Sequence, residues 1–147
     1  MKEYKQFGVY AIVIKDNKIL LIKKAKGPYS GKLDLPGGTI EFGEKPEETL
    51  IREVKEETGI IPTKYNLLDV DSIKFDWHCE DNIIKVHHVG IIYKINEYQE
   101  SVKNTLELQG KNDDSLGAEF YNIDELNKEN LSQLALYILT KLKIFIK

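Results

Sequence analysis

Cross-linking residues are nearly absent from this chain. Cys79 is the only cysteine in 147 residues, which excludes an internal disulfide framework and any cysteine-rich zinc centre. A reducing, cytoplasmic setting is the expectation that follows. Cys79 lies near His78, His87 and His88, but an unpaired cysteine beside a strand reads as inert. Long apolar runs are also missing. None approaches the roughly 20 residues that a bilayer-spanning helix needs, so no membrane partner is expected. The N-terminal apolar run follows the acidic Glu3 and leads to no small-residue cleavage site, so it reads as a first strand and not as a signal peptide. Basic excess is lacking too: 21 Lys and Arg against 24 Asp and Glu give a net charge of −3. That excludes the basic face of a sequence-independent nucleic-acid binder. A small anionic substrate remains compatible if a bound metal supplies the positive charge. Internal repeats, low-complexity stretches and linkers are absent, so residues 1–147 read as a single domain.

What is present is ordinary for a globular protein, with 41% hydrophobic and 31% charged residues. Gly8 to Ile14 is apolar and β-branched, which predicts a buried strand. Asp16-Asn17 marks a turn, and Lys18 to Lys24 returns as the second arm of a hairpin. A loop with Gly27, Pro28 and Gly31 leads to a short strand at Lys32 to Leu35. Lys64 to Phe75 and Ile83 to Ile95 read as long strands joined through DWHCEDN. Asn96 to Asp114 reads as a polar connection, Ala118 to Ile123 as a last strand, Asp124 as the cap of a short turn, and Leu131 to Ile146 as a terminal helix. The order predicts an α/β fold with a mixed sheet between helices.

The distinctive stretch is Gly37 to Ile60, GGTIEFGEKPEETLIREVKEETGI. Pro46 favours the first turn of a helix, and Glu47 and Glu48 suit its N-terminal dipole. Leu50 and Val54 form an apolar stripe, and Gly59 closes the helix. Glu53, Glu56 and Glu57 then stand at i, i+3 and i+4, which puts three carboxylates on one face. Like charges so placed repel, at roughly a few tenths of a kcal/mol per pair. A solvated acidic face is the bland explanation. A divalent cation is the chemical one, and glutamate oxygens suit Mg2+ or Mn2+ better than zinc.

The spacing decides between them. Gly38, Glu44, Arg52, Glu53, Val54, Glu56, Glu57, Gly59 and Ile60 match the box of the Nudix hydrolases at every specified position. The chain therefore resembles that family, with the nearest look to its MutT-like members, over a box at 38–60 and more weakly over nearly the whole length. The resemblance implies a Nudix-type α/β/α sandwich with a mixed β-sheet. It implies cleavage of a diphosphate linkage in a nucleoside diphosphate derivative, using Mg2+ or Mn2+. By the same resemblance Glu53, Glu56 and Glu57 hold the metal with the Gly38 carbonyl, and Arg52 supports Glu44. Asp114 is expected as the catalytic base, with Asp113 and Glu119 as further candidates. Trp77, Phe75 and the tyrosines offer rings for a nucleobase, Lys24 and Lys32 offer cations for phosphate, and His87 and His88 alternate faces of a strand.

The expected partner is a small-molecule nucleotide, and exposed strands with family habit make a homodimer compatible. The marks that the family's ADP-ribose and dinucleoside-polyphosphate subgroups carry downstream of the box are missing around Phe75-Asp76-Trp77. A nucleoside triphosphate, oxidised or ordinary, giving the monophosphate and pyrophosphate is therefore the first expectation, ahead of ADP-ribose or a nucleotide sugar. A non-catalytic regulatory domain is the alternative from another class. Such domains usually break the box, whereas all four of its glutamates stand here.

Overall fold

The computed structural model describes residues 2–100 and 115–145. Among the described residues eight strands run in the order β1 (Lys2–Ile12), β2 (Ile14–Lys15), β3 (Lys18–Lys24), β4 (Leu33–Asp34), β5 (Gly37–Thr39), β6 (Ile60–Cys79), β7 (Asn82–Glu100) and β8 (Ser115–Asn122). Helix α1 (Pro46–Thr58) separates β5 from β6, and α2 (Gln133–Lys141) follows two short 3-10 turns. One sheet has the order β5-β1-β7-β6 and is mixed, because β1 runs parallel to β7 and antiparallel to β5. The other is antiparallel, with β3 pairing β2, β4 and β8.

Strand β1 is the shared wall of two cores. Side chains alternate across a strand, so Val9 and Ala11, with Val13 beyond, face α1 and pack with Leu50 and Val54. Tyr10 and Ile12 face α2 and pack with Leu134, Ile138 and Leu139. Leu50 and Val54 are both fully buried. Burial of such a side chain contributes roughly 1.5–3 kcal/mol.

Several expected boundaries shift. Lys18–Lys24 and its hairpin stand, with both Asp16 and Asn17 at positive φ. The first arm breaks after Ile12, however, so β1 and β2 belong to different sheets. The short strand covers only Leu33–Asp34. The two long strands extend to Cys79 and from Asn82, with Asp76 to Cys79 still paired to β7. Asn96 to Glu100 is likewise strand. The remainder of that connection, with Asp113 and Asp114, lies outside the described residues. The cap of the turn at Ile123–Glu125 is Asn122, whose side chain accepts from the Asp124 amide. The terminal helix is shorter than its pattern suggests. Ser132 caps it, and after Lys141 the chain turns at Lys143, with φ 59°, so that the Ile144 and Phe145 amides return to the Leu139 carbonyl. Among the described residues no helix is long and apolar enough to cross a membrane.

Candidate active site

Helix α1 starts and stops where local chemistry dictates. Pro46 opens it, the Lys45 amide donates to Glu48 Oε1 at 3.0 Å, and Gly59 ends it at φ 81° with its amide on the Lys55 carbonyl. Leu50, Val54 and Glu57 lie at i, i+4 and i+7. The stripe that anchors the helix thus carries a carboxylate into the interior, and Glu57 is 3% exposed.

Strand β5 meets that carboxylate with backbone. The Gly37 amide donates to Glu57 Oε1 at 2.7 Å. Gly37 has φ 146°, and a Cβ there would lie 2.0 Å from the Val9 carbonyl oxygen. At Gly38 an added Cβ would lie 2.6 Å from the Glu53 carboxylate carbon and from its Oε2. The glycine pair therefore lets two glutamates of one helix lie against one strand.

Both glutamates are desolvated. Burial pushes the Glu57 carboxyl well above its ordinary range, opposed by the Gly37 amide and Lys24 and reinforced by Glu53 and Asp34. Burial also raises Glu53, opposed by Arg52. Arg52 donates from Nε to Glu44 Oε2 at 2.7 Å and from Nη2 to Glu44 Oε1 at 3.0 Å. Its Nη1 reaches Glu53 Oε1 at 2.7 Å and Glu56 Oε2 at 3.4 Å. The Arg52 guanidinium holds the Glu44 carboxyl down to about 2. Glu44 Oε1 also accepts from the Glu41 amide and from Thr49 Oγ1, both at 2.9 Å. The loop between β5 and α1 is thereby tied to the helix.

These residues fit a hard divalent cation by donor type and by environment. The set is all oxygen, as Mg2+ and Mn2+ prefer. Two crowded, desolvated carboxylates are stabilised by added positive charge, and the missing Cβ of Gly38 lets the Glu53 carboxylate lie against the strand. As placed, no three acidic, histidine or cysteine side chains among the described residues are close enough to hold one ion. Glu53 and Glu56 are drawn to Arg52 instead.

Beside Gly37 and Gly38 opens a cavity of about 180 Å³, lined among others by Gln6, Tyr10, Lys24, Tyr29 and Asp34. Asp34 is 2% exposed, and its Oδ1 accepts from Ser132 Oγ at 2.7 Å and from the Leu35 amide at 2.9 Å. Burial raises its carboxyl above the usual range. His88 is buried between two hydroxyls, with Nε2 2.5 Å from Tyr10 Oη and Nδ1 2.8 Å from Tyr29 Oη. A neutral imidazole meets one hydroxyl as donor and the other as acceptor. Burial pulls its pKa down to about 4. Tyr29 also stacks on Phe75, with ring centroids 5.5 Å apart.

Of the residues expected from sequence, Gly38, Glu44, Arg52, Glu53, Glu56 and Glu57 come together, and Lys24 lines the adjoining cavity. Trp77 does not join them. It pairs with Ile84, which pairs with Lys2, seven residues along β1 from the Val9 that pairs with Gly38. At about 3.3 Å per residue that is roughly 23 Å along the strand. It stands at the end of the β6–β7 hairpin, far along the sheet from the box. Glu119 is exposed on β8 opposite Leu21, His87 faces away from His88, and Asp114 is outside the described residues. Sequence reading offered the tyrosines only collectively, without singling out Tyr10 and Tyr29, and it missed Asp34. Asp34 carried a signal, an acid inside the short LDLPGG strand. Tyr10 was hidden in an apolar run.

The chain is similar to known proteins in sequence and in fold. The NUDIX domain family matches residues 5–142. An ADP-ribose pyrophosphatase of Methanocaldococcus jannaschii is 36% identical over 133 residues, covering 87% of this chain and 71% of that protein. An 8-oxo-dGTP diphosphatase of Escherichia coli is 38% identical over 65 residues, covering 44% of this chain and half of that one. The solved structure of a MutT NUDIX hydrolase from Burkholderia pseudomallei superposes with a TM-score of 0.70 at 23% identity, over 97% of this chain and 98% of that chain, and shows the fold alone. With its box assembled as described, the chain belongs to the NUDIX domain family of pyrophosphohydrolases.

Proposed function

We propose that this enzyme hydrolyses the diphosphate linkage of ADP-ribose, giving AMP and ribose 5-phosphate. The observation that carries the reaction class is the placement of Glu57 and Glu53 against Gly37 and Gly38, with the cavity of Tyr10, Lys24 and Asp34 alongside. The ADP-ribose reading is supported by the relative of that name, whose similarity covers most of both chains.

In this reading Glu53, Glu56, Glu57 and the Gly38 carbonyl hold Mg2+ or Mn2+. When bound, the cation neutralises diphosphate oxygens and lowers the pKa of an attacking water. Arg52 is a positioning residue: its fork fixes Glu44 and thereby the loop, and its Nη1 aims Glu53. Lys24 meets phosphate from the cavity side, and Tyr10 and Tyr29, held by His88, give the substrate a rigid wall. Asp114 is proposed as general base on its position in the sequence. Trp77 is left out of the substrate site by its distance. The single cysteine supports a reducing, cytoplasmic setting. The long outer strand β6, with Leu67 and Val70 more than half exposed, supports a homodimer.

A second reading, a nucleoside triphosphate cleaved to monophosphate and pyrophosphate, is supported by the relatives named for 8-oxo-dGTP. Incubation with ADP-ribose, nucleotide sugars, ordinary nucleoside triphosphates and 8-oxo-dGTP, with Mg2+ or Mn2+, separates the two. AMP release from ADP-ribose at the highest kcat/KM is the expected result. Preferred pyrophosphate release from a triphosphate selects the second reading, and no turnover of any of them overturns both.

A further inference from the structure

A second concavity, of about 460 Å³, lies at the hairpin end of the mixed sheet, away from the box. Its lining consists of three consecutive triplets on neighbouring strands: Glu3-Tyr4-Lys5, Lys85-Val86-His87 and Lys74-Phe75-Asp76. The middle residue of each triplet belongs to the opposite face: Phe75 stacks on Tyr29 there, and Val86 is buried. Alternation then puts the flanking six side chains on the face that α1 occupies further along. Strand register sorts them into rows. Lys5, His87 and Lys74 align in one row, and Glu3, Lys85 and Asp76 in the next.

The first row holds two lysines around a histidine and no acid. Among the described residues none of Lys5, Lys74 and Lys85 forms an ion pair within 4 Å. On the side toward the box the next row begins with Phe7, 57% exposed. Rows on one face repeat every two residues, roughly 7 Å. An exposed ring thus stands one row from a pair of unpaired ammonium groups. Cations recognise phosphate, and an aromatic ring stacks on a base.

We propose that this sheet face is an accessory binding site for a nucleoside monophosphate, with its phosphate on Lys5, His87 and Lys74 and its base against Phe7. The site is separate from the metal-binding box. Lys5 lies four residues along β1 from the Val9 that pairs with Gly38, roughly 13 Å. It goes beyond the hydrolysis proposed above and does not depend on it.

The test is an NMR titration of the 147-residue chain in EDTA, with inorganic phosphate, with AMP and with single-stranded RNA, for wild type, Lys5→Glu/Lys74→Glu and Phe7→Ala. Amide shifts at Lys5, Lys74 and His87 are expected with both ligands. The charge-reversal pair weakens both by at least about tenfold, the loss of two charge-assisted contacts. Phe7→Ala weakens AMP and leaves inorganic phosphate unchanged. Hydrolysis of small substrates by the charge-reversal pair stays at the wild-type kcat, which also reports that the variant is folded. Shifts confined to Gly37–Glu57, or equal affinity in the folded charge-reversal variant, overturn the proposal. So does binding of single-stranded RNA with no response to AMP.

Discussion

Arg52 grips Glu44 through two parallel hydrogen bonds, Nε to Oε2 at 2.7 Å and Nη2 to Oε1 at 3.0 Å. Lysine cannot reproduce that fork. Arg52→Lys is expected to cost about 1–2 kcal/mol of stability, since the hydrogen bonds are charge-assisted but partly exposed. Activity should fall further than stability does, because Glu53 loses the partner that aims it. Urea unfolding and steady-state kinetics on the same preparation check this, and wild-type kcat in Arg52→Lys would remove Arg52 from its positioning role.

Glu57→Gln separates charge from shape. The amide keeps the volume and an acceptor for the Gly37 amide while removing a buried charge, so the fold should be as stable as wild type or more so. Metal chemistry is worth several kcal/mol in such sites, so Mg2+-dependent turnover should drop on the order of 100-fold or more. Turnover equal to wild type would sink the ligand assignment.

Two alanine substitutions in the glycine pair should behave differently. A Cβ at Gly37 meets backbone at 2.0 Å and sits at a positive φ, so Gly37→Ala should lose several kcal/mol or fail to fold. A Cβ at Gly38 meets the flexible end of Glu53, so Gly38→Ala should fold and lose mainly activity. Circular dichroism melts beside kinetic assays distinguish the two outcomes. Equal losses of stability would contradict this account.

His88 sets a pH dependence of stability. Its folded pKa of about 4 is below the ordinary value of 6.5. Between those values the unfolded chain takes up a proton that the folded chain refuses, so stability falls as pH falls through that window. The loss from pH 7 to pH 5 is about 2 kcal/mol. Glu57 acts with the opposite sign, because its raised folded pKa makes protonation favour the fold. The comparison must therefore be made between wild type and His88→Gln: on going from pH 7 to pH 5 the stability of the variant should change by about 2 kcal/mol more favourably than that of wild type. An unchanged difference would show that His88 is protonated in the fold.

The helix bearing the box was legible because proline, paired acids, an apolar stripe and glycine all agreed on Pro46–Thr58. The lengths of β6 and β7 were not, since Asp76 to Cys79 and Asn96 to Glu100 are polar and pair only because a partner strand continues beside them. The short α2 was hidden because Ile144 and Phe145 keep helical spacing after the backbone has turned. The cavity wall was invisible for a topological reason. Tyr10, Tyr29 and His88 come from separate segments, and no local pattern brings them into contact.

One strand serves both halves of the enzyme, and the pleat divides the labour. Val9 and Ala11 support the helix that carries the box, while Gln6 and Tyr10 line the cavity beside it. Substitutions at Gln6 and Tyr10 would reshape that cavity and leave the packing beneath the helix in place. A deletion of one residue in β1 would reverse every assignment at once.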